Sequence, residues 1–392
     1  RGNPRACTRS LNTKSLSRFR KALTMLPEVH LVAAARPNLP KLAALWHALA
    51  AGPEFCKPVL LHTGQHEDQA MFGVHFADLG LPAPDIALGI SGGSHAVLTG
   101  RSMIACETVW KSRRPAAVVV AGDVDGALAA ALAARKMGVT LIHLEAGLRS
   151  GERNLPEEIN RRAIDAISDI LWAPDEITAS RLRQEGHSAA AVRAVGNAMV
   201  DTQLRHLPAA RARRLPRGLS RGGYGVVTLH RAGNVDKPER YIALLEALSA
   251  AARHVPLVWP IHPRAAAQMK AFGVVPPMGG RITPPLGYLE FLSLLCRARL
   301  VATDSGGVQE EATALGLPCL TLRGATERPI TIASGMNRLA TPEELPLRVA
   351  EILSTRAGAP RPVPLWDGRA GIRMREHLQA VLEGEECRAM VA

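Results

Sequence analysis

Short apolar runs rich in β-branched residues alternate with longer, helix-like stretches over the first half of the chain. Strands that alternate with helices predict a parallel sheet covered by helices on both faces. The predicted strands span residues 29–35, 59–62, 116–121, 139–144, 170–173 and 192–195.

The alternation stops at residues 202–223, which contain no acid, two prolines and many arginines. Such a composition is typical of a helix tail followed by an exposed linker. We therefore expect two α/β domains, over residues 25–204 and 222–368, whose parallel sheets face each other across a ligand-binding cleft. In the second domain the predicted strands span residues 224–229, 256–261, 300–303 and 318–322.

Composition limits the classes of function. The 392 residues are 47% apolar, which is enough for a core in each domain. No apolar run reaches the roughly 20 residues of a membrane-spanning helix, so we expect a cytoplasmic protein with no membrane partner. More than half of the formal charge of +13 comes from residues 1–24, an acid-free segment expected to be a disordered or non-native extension, with a targeting peptide as the alternative. Aromatic residues make up only 4% of the chain, so nucleic acid is not an expected partner.

The pattern of cysteines, histidines and glycines indicates neither a metal nor a redox cofactor. The six cysteines form no Cys-x-x-Cys pair, so reduced thiols are expected. His62 and His66 flank a predicted turn and do not share a helix face. No Gly-x-Gly-x-x-Gly follows the first strand, so a dinucleotide is not expected.

Polar residues follow most of the predicted strands directly. In open parallel sheets, ligands bind beyond the carboxyl ends of the strands, so these residues are the first candidates for a site. They are Arg36, Gln65, His66, Asp123, Glu145, His230, Arg231, His262, Asp304 and Ser305.

The sequence TDSGGVQEEA (303–312) predicts a strand end, a glycine turn, and a helix that runs from Val308 to near Gly316. The unpaired amides and the positive dipole end of such a helix suit a phosphate. Glu310 and Glu311, placed in the first turn, would repel a phosphate unless one of them turned aside to a ribose. An ordinary helix cap is the alternative.

Cations lie at two other strand ends. His230 and Arg231 would clamp a diphosphate near the Ser305 turn, and Arg36 and Lys41 flank the first strand-to-helix turn. Taken alone, each pair is more often a solvated surface feature, which is the alternative for all four.

Carboxylates follow two strands of the first half and open a helix near residue 156. Asp123, Glu145 and Glu157 would supply the converging acids and bases that proton transfer at carbon requires. The alternative is structural, because acids suit a helix start and Glu157 and Glu158 have the i, i+4 spacing of ion pairs with Arg161 and Arg162.

Taken together, these stretches resemble the non-hydrolysing UDP-N-acetylglucosamine 2-epimerases over about residues 28–380. The resemblance implies two Rossmann-like domains of the glycosyltransferase-B type, a homodimer, and a C-terminal helix in residues 369–392 that crosses back to the first domain. The motifs are ARPN…K (35–41), TGQH (63–66), GSH (93–95), GDV (122–124), EAGLRS (145–150), PEEINR (156–161), VGN (195–197), LHR (229–231), HPR (262–264), DSGGVQEEA (304–312) and TERP (326–329).

The resemblance also implies a reaction. UDP is eliminated to give a 2-acetamidoglucal, and re-addition inverts C2 to give UDP-N-acetylmannosamine for surface polysaccharide synthesis, without a redox cofactor. The implied acids and bases at C2 are Asp123, Glu145 and Glu157, and His230 assists the leaving diphosphate. The implied UDP-sugar ligands are Arg36, Lys41, Arg161, Arg231, His262, Ser305, Gly306, Gly307, Glu311 and Arg328, with Gln65 and His66 at a possible second, activating site.

Two departures from the family pattern stand out. Asp125 adds a charge close to the implied catalytic centre, and Ile330 replaces a glutamate that many relatives carry. A glycosyltransferase or hydrolase of the same fold and a catalytically silent UDP-sugar sensor remain alternatives, the sensor because of Asp125. The substituents at C3, C4 and C6 of the sugar stay open.

Overall fold

The computed structural model of the protein describes residues 26–64, 69–355 and 361–384. The extension predicted for residues 1–24 lies outside the described residues, and so do Gln65 and His66.

The first half of the chain forms a seven-stranded, wholly parallel sheet. Its strands are β1 (Glu28–Ala33), β2 (Lys57–His62), β3 (Ile86–Ala87), β4 (Ala117–Ala121), β5 (Thr140–Leu144), β6 (Ile170–Ala173) and β7 (Val192–Ala194). Their spatial order is β3-β2-β1-β4-β5-β6-β7. The accompanying helices are α1 (Asn38–Ala51), α2 (Gln69–Asp78), α3 (His95–Ser112), α4 (Asp125–Lys136), α5 (Pro156–Ile167), α6 (Glu176–Gln184) and α7 (Ala198–Ala212).

The central strand β4 explains why this sheet is covered on both faces. Its sequence AVVVA is completely buried, and its side chains alternate between two apolar clusters. Val119 packs with α1 on one face, whereas Val118 and Val120 pack with α3, α4 and α5 on the other. Burying each of these side chains stabilises the fold by about 1.5–3 kcal/mol.

The second half forms a six-stranded, wholly parallel sheet. Its strands are β8 (Gly225–Thr228), β9 (Leu257–Pro260), β10 (Gly280–Thr283), β11 (Leu300–Thr303), β12 (Cys319–Thr321) and β13 (Asn337–Leu339), in the spatial order β10-β9-β8-β11-β12-β13. The helices are α8 (Ala232–Val235), α9 (Pro238–Ala252), α10 (Pro263–Ala271), α11 (Tyr288–Leu295), α12 (Gly306–Leu315), α13 (Pro329–Ala333), α14 (Leu345–Ser354) and α15 (Ala370–Leu382).

Ten apolar runs predicted from the sequence correspond to strands, and β3, β10 and β13 were missed. All three lie at an edge of their sheet. An edge strand forms hydrogen bonds with one neighbouring strand only, so it can be short and partly polar. The sequences GRIT of β10 and NRL of β13 therefore contain no apolar run from which a strand could be predicted.

Two helices, α7 and α15, connect the two halves of the chain. Thr202 of α7 donates a hydrogen bond to the carbonyl of Pro40 in α1 (2.6 Å), and Gln203 donates to the carbonyl of Glu311 in α12 (2.9 Å). The C-terminal helix α15 returns to the first half, where Met374 and Leu378 join the core beneath α1. None of the helices in the described part of the chain is long and apolar enough to cross a membrane.

Candidate active site

The carboxyl edges of the two sheets meet at Glu145, the residue that follows β5. Its carboxylate forms an ion pair with Lys41 of α1 and accepts a hydrogen bond from Arg328 Nη2 of the second half at 2.7 Å. All three side chains are at most 10% exposed. The structure thus brings together three predicted site residues, and both cations, Lys41 and Arg328, contact the carboxylate of Glu145.

The loop that carries Glu145 has an unusual backbone. Glu145 has a φ of 73°, in the left-handed region, and its amide and that of Ala146 both donate to the carbonyl of Trp172 at 3.1 Å. A non-glycine residue in that region costs on the order of 1 kcal/mol and persists where the surroundings enforce it. At the neighbouring strand end, Gly122 has a φ of 68°, in the left-handed region that favours glycine, and a Cβ there would lie 3.1 Å from Lys41 Nζ.

Asp123 follows β4 and lies beside the same cluster. Arg161 of α5 forms an ion pair with its carboxylate and also donates to Glu158 Oε2 at 3.2 Å. Burial by itself raises the pKa of Asp123, but Arg161 and Lys41 outweigh it and hold the pKa below its ordinary value. Asp123 therefore remains an anion at neutral pH.

Helix α5 directs Glu157 towards the second half. Its side chain is 39% exposed, and its Oε1 lies 3.8 Å from Arg231 Nη1. The expected ion pair between Glu157 and Arg161 does not form, because Arg161 binds Asp123 and Glu158 instead. The expected pair between Glu158 and Arg162 does form, with 3.5 Å between Glu158 Oε1 and Arg162 Nε.

Asp304, the first residue after β11, positions the cations that follow β8. Its carboxylate accepts hydrogen bonds from the amides of His230 (3.0 Å) and Arg231 (2.9 Å) and lies 3.0 Å from His230 Nδ1. The His262 ring lies 5.4 Å from that of His230, centroid to centroid. Burial raises the pKa of Asp304, yet the His230 contacts and these amides hold it below its ordinary value. The sequence placed Asp304 at a strand end but gave it no role.

The glycine turn differs from its prediction in one respect. Helix α12 begins at Gly306, two residues before Val308, with Ser305 as its N-cap. Glu310 and Glu311 consequently lie in the second turn, buried to 1% and 4% exposure, and not in the first turn. The first turn of α12 thus contains no acidic residue.

Burial dominates the titration of these two carboxyl groups. It raises the pKa of Glu310 to about 7, opposed by Arg328, whose Nε lies 3.1 Å from Glu310 Oε1. It also raises the pKa of Glu311 to about 7, opposed by Tyr288 and reinforced by Glu310. Both groups therefore titrate near neutrality.

Glu327 is a site residue that sequence reasoning missed. It is 1% exposed and binds Arg328 Nη1 at 2.7 Å, Arg323 Nη1 at 2.6 Å and Arg231 Nη2 at 3.5 Å. Burial opposes ionisation, but Arg328, Arg323 and Arg231 hold the pKa of Glu327 well below its usual range. The one available signal was an acid between two basic positions in RGATERP (323–329).

The remaining predicted residues lie around this network. Arg36 is half-buried just before α1. Asp125 is 5% exposed at the start of α4, where its carboxylate lies 2.7 Å from His95 Nδ1 and accepts a hydrogen bond from Asn160 at 3.1 Å. Among the described residues, no group of three or more His, Cys, Asp or Glu side chains is arranged to hold a metal ion.

The chain is similar to known proteins over most of its length. A family model described as UDP-N-acetylglucosamine 2-epimerase matches residues 48–379. A UDP-2,3-diacetamido-2,3-dideoxy-D-glucuronate 2-epimerase of Pseudomonas aeruginosa is 40% identical over 309 residues, covering 78% of this chain and 86% of the relative. A UDP-N-acetylglucosamine 2-epimerase of Methanocaldococcus jannaschii is 38% identical over 327 residues, covering 80% and 89% of the two chains.

The structure of the chain is also similar to solved structures. The crystal structure of the Methanocaldococcus jannaschii enzyme in complex with UDP-GlcNAc and UDP has a TM-score of 0.83 at 37% identity and covers 90% of this chain and 99% of that one. The glycosyltransferase SnogD from Streptomyces nogalater, 14% identical with a TM-score of 0.52 over 94% of this chain and 99% of its own, shares the fold alone. The predicted fold class of two Rossmann-like domains of the glycosyltransferase-B type is confirmed.

Proposed function

The chain belongs to the UDP-N-acetylglucosamine 2-epimerase family, and on that premise we propose that it is an isomerase that interconverts UDP-N-acetylglucosamine and UDP-N-acetylmannosamine. One observation carries the proposal. Glu157 of the first half lies 3.8 Å from Arg231 of the second half, and Glu145 after β5 lies 2.7 Å from Arg328 of the second half. Acid–base groups for C2 thus stand opposite cations for a diphosphate.

In the proposed binding mode the second half holds UDP. The amides of Gly306 and Gly307 at the start of α12 receive the diphosphate, together with His230 and Arg231. Glu311 accepts hydrogen bonds from the ribose. Arg36, Lys41, His262, Arg161 and Arg328 complete the pocket or orient its carboxylates.

The proposed chemistry needs no electron acceptor. The C1–O bond breaks and its electron pair leaves with UDP, which builds positive charge at C1 and acidifies the proton at C2. A carboxylate of the cluster takes that proton, and the C–H electrons form the C1–C2 double bond of a 2-acetamidoglucal. Re-addition of UDP with a proton delivered to the opposite face of C2 completes the inversion.

A second substrate is favoured by one comparison. The Pseudomonas aeruginosa relative, named for UDP-2,3-diacetamido-2,3-dideoxy-D-glucuronate, is 40% identical to this chain. A sugar with an acetamido group at C3 and a carboxylate at C6 is therefore the alternative substrate.

Several further expectations become part of the proposal. A homodimer is supported by large apolar side chains exposed on two helices of the first half that both pack against α4, namely Val97 (45%) and Ile104 (63%) on α3 and Ile159 (55%) on α5. A cytoplasmic location is supported by the free thiols of Cys56, Cys106, Cys296 and Cys319. Supply of a surface polysaccharide and activation by substrate through Gln65 and His66 rest on the family resemblance alone.

Proton NMR in deuterated water tests the proposal. The full chain is incubated with UDP-N-acetylglucosamine, and in parallel with the diacetamido uronate. We expect the C2 epimer carrying deuterium at C2, whereas the Asp123→Asn protein should bind UDP but give no exchange. An unchanged, fully protonated sugar in both reactions despite UDP binding would refute the epimerase proposal and favour a sensor. Release of free sugar, or transfer to an added acceptor, would favour a hydrolase or a transferase.

A further inference from the structure

The amino-terminal edge of the second sheet, on the side away from the cleft, has a distinctive composition. In a parallel sheet, all loops that precede strands gather at this edge. These loops are residues 213–224 before β8, 253–256 before β9, 272–279 before β10, 296–299 before β11, 316–318 before β12 and 334–336 before β13. We call this surface the basic edge.

The basic edge carries a single sign of charge. Its loops, all of them within the described residues, contain no aspartate or glutamate and hold Arg213, Arg214, Arg217, Arg221, Arg253, Arg297 and Arg299. The opposite, carboxyl edge carries both signs of charge, with Asp304 and Glu327 beside Arg231, Arg323 and Arg328. The basic edge therefore differs from the carboxyl edge in that its loops carry only one sign of charge.

Backbone contacts gather these arginines into one surface. Arg297 donates to the carbonyl of Arg213 at 2.8 Å and accepts from the amide of Gly222 at 2.8 Å. Arg281 of β10 donates to the carbonyl of Arg217 at 2.9 Å. Two loops and strand β10 are thus tied together, and their arginines belong to one surface.

Nearby carboxylates offset little of this charge. Arg213 lies 3.7 Å from Glu290 and 4.0 Å from Asp78. Arg214, Arg217 and Arg221 are exposed to solvent. The surface potential of the basic edge is therefore positive and suits an anionic partner.

An apolar tip stands beside the arginines. Val275 is 75% exposed and Met278 is 79% exposed, on the loop that leads into β10. The amide of Met278 donates to Ser249 Oγ at 3.1 Å, which anchors the loop. Phe272 at its start packs inward against Tyr241, so the exposed tip is aliphatic and not aromatic.

We propose that the basic edge docks the protein on the surface of an anionic lipid bilayer. Arginines attract acidic headgroups, and aliphatic side chains on a fixed loop enter the boundary between headgroups and acyl chains. A nucleic acid would instead favour exposed aromatic rings for stacking. This contact needs no spanning helix, so it revises the expectation that a membrane is not a partner. It leaves the cleft on the opposite edge open to solvent.

Vesicle co-sedimentation of the full chain tests this docking. The probes are vesicles of phosphatidylcholine alone and vesicles with added phosphatidylglycerol, in low and high salt. We expect binding only to the anionic vesicles, weakened by salt. The variant Arg214→Glu, Arg217→Glu, Arg221→Glu should bind at least an order of magnitude more weakly, since each arginine contributes roughly fivefold.

A matched control removes the effect of net charge. Lys111→Glu, Lys136→Glu, Lys237→Glu changes the net charge equally at three exposed lysines away from the basic edge. Residues 1–24 are present in every variant, so their charge cannot cause a difference. Turnover of a soluble UDP-sugar should be the same in all three proteins, because none of the six residues lies in the proposed site.

The outcomes separate the possibilities. Loss of binding in the arginine variant but not in the lysine variant supports the proposal, as does weaker binding at high salt by Val275→Ser, Met278→Ser. Equal loss in both charge variants overturns it, since binding would then follow net charge alone. Absence of binding to anionic vesicles, with retention on heparin or RNA, overturns it in favour of a polyanionic macromolecule.

Discussion

Arg328 Nη2 lies 2.7 Å from Glu145 Oε1, so a cation of the second half neutralises the central carboxylate of the first half. The same guanidinium contacts Glu327 at 2.7 Å and Glu310 at 3.1 Å. Because Arg328 is buried, it couples the approach of the two halves to the charge state of the carboxylate cluster.

Replacing Arg328 by methionine should therefore damage both stability and activity. The substitution leaves three carboxylates without this cation, and breaking a buried ion pair from one side costs about 3–5 kcal/mol. We expect a large fall in Tm and a loss of kcat/KM of at least about 100-fold. Arg323→Met is the control, because Glu327 then keeps its contacts with Arg328 and Arg231. Two variants with equally small losses would contradict the central role given to Arg328.

Asp304→Asn should weaken the binding of UDP. The carboxylate accepts hydrogen bonds from the amides of His230 and Arg231, and a carboxamide offers one acceptor oxygen where the aspartate has two. We expect UDP affinity, measured by calorimetry, to fall by at least about tenfold, since a charge-assisted hydrogen bond contributes about 1.5–3 kcal/mol. The control Asp236→Asn removes an exposed partner of Arg264 and should bind UDP normally.

Comparison of the wild type with Asp304→Asn also tests how stability depends on pH. Because the folded pKa of Asp304 lies below its ordinary value of 3.8, its contribution to stability is present above that value and is lost as pH falls through the folded pKa. The difference in Tm between wild type and Asp304→Asn should shrink as the solution is acidified below about pH 4. A constant difference from pH 7 to pH 2 would show that the charge of Asp304 does not stabilise the fold.

Much of the site was accessible from sequence because its residues follow strands. Asp123, Glu145 and His230 come directly after apolar runs, and topology alone brings such positions to one edge of a sheet. The start of α12 was placed two residues late because glycine has a low intrinsic helix propensity, whereas the structure begins the helix at Gly306. Glu327 lies in a loop, and only its tertiary contacts with three arginines mark it as part of the site.

Glu311→Gln should change how stability depends on pH. Burial raises the pKa of Glu311 from 4.5 to about 7, so its contribution to stability is fully present below pH 4.5 and is lost as pH rises towards 7. The titratable groups facing it are the carboxyl of Glu310 and the neutral hydroxyl of Tyr288. Between pH 5 and pH 8, urea unfolding of the wild type should lose stability on the order of 3 kcal/mol more than the variant does. Parallel curves for the two proteins would refute a raised pKa at this position, and the exposed substitution Glu246→Gln is the control.

Asp125→Asn tests whether the additional carboxylate beside Asp123 prevents catalysis. Asp125 lies 2.7 Å from His95 Nδ1, and the His95 side chain is 72% exposed, so solvent screens this pair. Because solvent screens this contact on the His95 side, it contributes at most about 1 kcal/mol, and we expect kcat/KM to change by no more than about fivefold. Asp123→Asn, which removes the carboxylate that binds Arg161, should lower kcat by at least about 100-fold. If the wild type is inactive and Asp125→Asn restores turnover, Asp125 prevents catalysis, and the protein is a non-catalytic UDP-sugar sensor with the fold of an epimerase.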